Sequence, residues 1–105
     1  WLRPPYGLVA PTVRARITVP MVHWSVDPRD WESRNTDKVV RAVLEAVQPG
    51  DIILLHDIYS TSVDAALQIV DTLEEQGYWL VTVEELLILG GIQPQEGVLY
   101  RSAGK

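Results

Sequence analysis

Asp51-Ile52-Ile53-Leu54-Leu55-His56-Asp57-Ile58 is the stretch on which the reading of this chain turns. Four apolar residues follow a Pro49-Gly50 turn signal and run straight into His56 and Asp57. A short apolar run bounded by a turn predicts a buried strand. Its polar end places one of the chain's two histidines where that strand emerges.

The sequence on either side predicts helices. Upstream, Val39, Val40, Val43, Leu44 and Val47 share one helical face behind a cap at Asn35 or Thr36. Downstream, Thr61 and Asp64 have capping-box spacing. The helix they would open is expected to bury Val63, Ala66, Leu67, Val70 and Leu73 and to end at Gly77. Residues 78–81 read as a strand, and Thr82 with Glu85 as a second capping box before a helix over 83–89. Nearer the start, residues 20–26 read as a strand closed by Asp27-Pro28, and residues 1–3 as the end of another. Pro4-Pro5-Tyr6-Gly7 reads as a turn, and residues 11–16 as a short helix opened by Pro11. An edge strand is expected at 97–100. Trp24, Trp79 and His23 lie within predicted strands; the two tryptophans are expected in the core, and His23 in the core or just behind the site.

Strand and helix alternate along the chain, which predicts an α/β fold of parallel strands joined by helical crossovers. Four such strands amount to half of a barrel. The whole chain, 1–105, is expected to be one domain or part of one. In such sheets functional groups gather beyond the carboxyl ends of the strands. Arg3 and Tyr6 follow the first predicted strand, Asp27 and Asp30 the second, His56 and Asp57 the third, and Thr82 and Glu84 the fourth.

Composition narrows the chemistry. Hydrophobic residues make up 47% of the chain, enough for a core. A net charge of −5 argues against nucleic acid as a partner. With no cysteine there is neither a disulfide scaffold nor a thiolate zinc site. No apolar run has the length of a membrane span. His-x-x-x-His, H-E-x-x-H, G-x-S-x-G and a glycine-rich phosphate loop are all absent, so no metal ligand is assigned on this chain.

A histidine beside a carboxylate is the usual general acid or base. Asp57 adjoins His56 in sequence, so on a strand it points to the opposite face. Asp27 or Asp30, at the end of the next strand, is therefore the better partner. Arg3 suits a bidentate grip on a carboxylate or a surface ion pair. The backbone N–H of Tyr6 is either an oxyanion donor or part of a plain turn. Trp31 would line a sugar groove or the core. Leu54, on the same side as His56, would be core or a pocket wall.

Three of these stretches resemble motifs of one known family. Arg3-Pro4-Pro5-Tyr6-Gly7, Asp27-Pro28-Arg29-Asp30-Trp31 and Leu54-Leu55-His56-Asp57 are similar, in order, to the third, fourth and fifth motifs of the polysaccharide deacetylases. These are the NodB-homology enzymes of carbohydrate esterase family 4, and the likeness is greatest to bacterial peptidoglycan N-acetylglucosamine deacetylases. The resemblance implies a distorted (β/α) barrel that removes acetyl groups from peptidoglycan, chitin or related glycans, or acetyl esters from xylan. It implies a divalent metal, usually zinc. By the same resemblance His56 is the general acid, Asp30 tunes it, and Arg3 pairs with the catalytic-base aspartate. Tyr6 helps stabilise the oxyanion, and Leu54 and Trp31 take the acetyl methyl. The family's first two motifs, which carry the base and the metal ligands, are absent from these 105 residues. The chain is thus expected to be the carboxyl-terminal half of such a domain, partnered by a complementary amino-terminal half and an acetylated glycan. It is expected to be inactive alone and to work outside the cytoplasm or at the cell surface. The rival readings are an acetylxylan-type O-acetyl esterase on the same fold and a non-catalytic carbohydrate-binding relative.

Overall fold

Asn35 accepts a hydrogen bond from the Lys38 backbone N–H (3.0 Å), and this cap starts helix α3, Thr36–Ala46. The computed structural model describes residues 1–3 and 10–103. In chain order the elements are α1 (Pro11–Arg14), β1 (Met21–Val22), α2 (Asp30–Ser33), α3, α4 (Ser60–Glu75), α5 (Val83–Leu89) and β2 (Leu99–Tyr100). They fall into two compact units: Trp1–Ser25 with Gly50–Ile52 and Thr82–Lys105, and Val26–Pro49 with Ile53–Val81.

The second unit is built on α3 and α4. Val39 and Val43 of α3 meet Ala65, Ile69 and Leu73 of α4 and Val26, and Val40, Leu44, Val47, Ile53, Leu55 and Tyr78 pack around them. The α3 face is the one the periodicity predicts. The α4 face is not. Ser62, Ala65, Ile69 and Leu73 are buried, while Val63, Leu67 and Val70 are exposed. The Thr61–Asp64 capping box does not form either. The helix begins at Ser60 after Tyr59, without a side-chain cap. The α4 sequence carries apolar residues on two adjoining stripes, so periodicity leaves the rotation nearly open. A polar contact of Ser62 settles it, as described below. Gly77, at φ 89°, ends the helix in the left-handed region as expected, and the Tyr78 N–H returns to the Leu73 carbonyl (2.9 Å). Ile69→Ala is expected to cost about 2–5 kcal/mol by urea denaturation. Leu67→Ala, on the exposed stripe, is expected to change stability by less than about 0.5 kcal/mol.

In the first unit β1 pairs in parallel with β2, Met21 opposite Leu99 and Val22 opposite Tyr100. Leu2 bridges Met21 in parallel on the other side. Met21 and Leu87 are fully buried, with Val22, His23 and Ile52 nearly so. The Thr82–Glu85 capping box forms as expected and opens α5. The expected edge strand at 97–100 is the two-residue β2.

Parallel pairing thus holds, but the strands are shorter than the sequence suggests. Of 20–26, only Met21–Val22 is strand, and Val26 makes a single parallel bridge to Ile53. The Asp51–Ile58 stretch is likewise tied by single bridges, at Asp51 and at Ile53. Side-chain bonds replace part of the ladder here. Ser25 Oγ accepts from the Ile52 N–H (3.0 Å) and donates to Asp51 Oδ1 (2.9 Å). Residues 78–81 form no strand, since nothing among the described residues pairs with them. Trp79, expected in the core, is 83% exposed. Trp24 is half-buried and stacks on buried His23, with ring centroids 3.8 Å apart. Among the described residues no barrel closes.

Candidate active site

Val26 and Ile53 form a parallel bridge, and the Leu54 N–H donates to the Val26 carbonyl (2.9 Å). The chain segments that continue from these residues, to Asp30 and to His56, therefore leave the bridge side by side. Asp30 opens the single turn of α2 and is fully buried. The residue before it, Arg29, holds φ 55°, and the residue after the turn, Arg34, φ 46°. Both lie in the left-handed region that non-glycine residues rarely enter. The Arg34 N–H closes the turn on the Asp30 carbonyl (3.0 Å).

The Asp30 carboxylate receives three hydrogen bonds. Oδ1 accepts from His56 Nδ1 (2.9 Å); Oδ2 accepts from the His56 backbone N–H (2.7 Å) and from Ser62 Oγ (2.6 Å). Burial alone pushes this carboxyl up. The bonds from Ser62 and from the His56 backbone and ring, with the charge of the ring, outweigh burial and hold it below its ordinary value of 3.8. An ionised carboxylate only accepts, so His56 Nδ1 carries a proton and Nε2 is the nitrogen that gains or loses one. The His56 side chain is 38% exposed, which leaves the ring open to a reacting partner.

Of the two carboxylates the sequence offers His56, the structure selects Asp30. Asp27 is exposed and accepts from the Arg29 N–H (2.9 Å). Asp57 is exposed as well. Leu54 is buried and held by its backbone bond to Val26. Trp31 is exposed, with the Arg29 guanidinium 5.3 Å from its ring centroid. Arg3 is exposed and belongs to the first unit. Tyr6 lies outside the described residues. Ser62 escapes the sequence reading, because Ser60, Thr61 and Ser62 offer three hydroxyls in a row and nothing in their order marks the one that turns inward. Among the described residues no group of three His, Asp or Glu side chains is placed to hold a metal ion. The described residues therefore do not fit a metal centre of their own.

No protein-family model matches the chain. Over 85 residues, 81% of its length, the chain is 45% identical to the peptidoglycan-N-acetylmuramic acid deacetylase PdaC of Bacillus subtilis, of which it spans 18%. The solved structure of that deacetylase matches with a TM-score of 0.78, covering 80% of this chain and 42% of that one. A family 4 acetyl xylan esterase from Clostridium thermocellum, solved with a cobalt ion, matches at 30% identity and a TM-score of 0.85, covering 98% of this chain and 53% of that one. A family 4 pseudoenzyme from Bacillus anthracis matches at 25% identity and a TM-score of 0.73, covering 96% of this chain and 36% of that one. The chain thus spans about half the length of the first two solved neighbours and less than a fifth of the curated relative. Sequence and fold together place it among the polysaccharide deacetylases of carbohydrate esterase family 4, the NodB-homology family, and it belongs there.

Proposed function

We propose that this chain supplies the acid side of a hydrolase that removes acetyl groups from an N-acetylated polysaccharide, peptidoglycan in the first place. The observation that carries the proposal is the buried Asp30 carboxylate bonded to His56 Nδ1. That contact fixes the tautomer and leaves Nε2 to work. When the tetrahedral intermediate collapses, the Nε2 proton passes to the leaving amine nitrogen as the carbon–nitrogen bond breaks. The imidazole is left neutral, and Asp30 keeps its charge throughout. Leu54 and Trp31 would take the acetyl methyl. The Tyr6 N–H would face the oxyanion, and Arg3 would pair with a base aspartate contributed from beyond these residues. A divalent ion, zinc by resemblance, would be held by the complementary part of the domain, where it would polarise the acetyl carbonyl. The site of action would be the cell surface.

Two other readings have relatives of their own among the matches. An acetyl ester would use the same fold, as the xylan esterase does, and a silent site would match the pseudoenzyme. The buried Asp30–His56 pair favours a working acid over a silent site. A chimera separates the three. In it, these residues replace the matching segment of the Bacillus subtilis deacetylase, and acetate release is measured on peptidoglycan and on acetylated xylan. Release from peptidoglycan is expected, and none is expected from the 105-residue chain alone. Activity only on xylan would establish the ester reading, and activity on neither the silent one.

A further inference from the structure

The contact that rotates α4 also leads to the acid. Ser62 sits in the first turn of α4, where a serine commonly turns back to bond a nearby backbone group. Here it donates instead to Asp30 Oδ2 at 2.6 Å, and the residue is 1% exposed. A buried hydroxyl bonded to a buried carboxylate has given up water for that one partner. The same oxygen also accepts from the His56 backbone N–H (2.7 Å). Two donors from different elements converge on Oδ2, one from α4 and one from the segment after Leu55. Together they fix the carboxylate plane and leave Oδ1 to face the imidazole.

From this geometry we infer that Ser62 is a positioning residue for the His56 acid, clamping the Asp30 carboxylate so that Oδ1 holds the Nδ1–H tautomer. It touches neither substrate nor reacting atoms and acts through Asp30. The inference rests on the acid reading of His56, but the clamp itself exists whether or not the chain takes part in turnover. Among the described residues the groups that meet Asp30 are few. His56 is the titratable one, Ser62 of α4 is neutral, and the Arg34 backbone N–H meets the Asp30 carbonyl rather than its carboxylate.

The test is made on the full 105-residue chain by NMR, with ¹³C at the Asp30 carboxyl and ¹⁵N in the His56 ring. In Ser62→Ala the Asp30 titration midpoint is expected to rise by about one pH unit, the size set by losing one hydrogen bond to a charged group. The Nδ1–H signal of His56 is expected to broaden as its partner loosens. Ser62→Thr, which keeps the hydroxyl, is expected to restore both. A merely structural serine would leave the midpoint and the tautomer signal where they are, and that result overturns the inference. Should the alanine variant not fold, the wild-type chain decides. A slowly exchanging Ser62 hydroxyl coupled across the hydrogen bond to the Asp30 carboxyl carbon supports the clamp, and a fast-exchanging one overturns it. Acetate release enters none of these readouts. An inactive chimera would therefore count against the proposed function while leaving the clamp standing.

Discussion

Replacing His56 with alanine in the chimeric domain is expected to lower kcat about 10²- to 10⁴-fold, the range for losing a positioned general acid. The effect should fall on kcat far more than on KM, because the proton is delivered only as the leaving group departs. The fold should survive. Asp30 Oδ2 keeps both its donors in that variant, since one is the His56 backbone N–H and the other is Ser62. Circular dichroism and a urea midpoint close to that of the parent chimera are the accompanying controls. Turnover that persists within a few-fold of the parent would remove His56 from the role of acid.

Asp30→Ala is expected to be among the most damaging single changes to the stability of this chain. It strips partners from the Ser62 hydroxyl and the His56 N–H and empties a fully buried position. Breaking a buried, hydrogen-bonded pair of this kind costs about 2–5 kcal/mol. That is a large share of a small domain's total, and Tm should fall by about 10 °C or more. The pH dependence carries a definite sign. The folded Asp30 titrates below its ordinary 3.8, so the unfolded chain takes up the proton first as pH falls. The stabilisation is therefore complete above about pH 5 and drains away as pH drops through 4 toward the folded value. Asp30→Asn, which cannot ionise, lacks this step. The urea-midpoint gap between wild type and Asp30→Asn should be widest near neutral pH and narrow in acid. A gap that stayed constant would mean that the Asp30 charge does not stabilise the fold.

The contact between Asp30 and His56 is legible in the sequence because strand geometry leaves few choices. Parity removes Asp57, and adjacency of strand ends leaves Asp27 and Asp30. The last choice needs the α2 turn, which Asp30-Trp31-Glu32-Ser33 does not announce: four residues carry no periodicity, and the left-handed residues beside them are arginines rather than glycine or asparagine. The α3 face is legible because one stripe of valines dominates it. The α4 face is not, because its rotation follows a hydroxyl–carboxylate contact between residues 32 positions apart. Residues 78–81 have strand composition, but composition cannot supply a partner, and a strand without one is not a strand.

Arg29 and Arg34 bracket one turn of helix with positive φ at each end. For side-chain-bearing residues that conformation costs about 1–2 kcal/mol each. The turn between them is only four residues long, too short to hold itself together by its own helical bonds. Its tie to the rest of the unit runs through the Asp30 carboxylate, which takes donors from the His56 segment and from Ser62 of α4. Loss of that carboxylate is expected to loosen the turn as well as to remove a contact. In this chain the partner of His56 and the anchor of the α2 backbone are the same side chain.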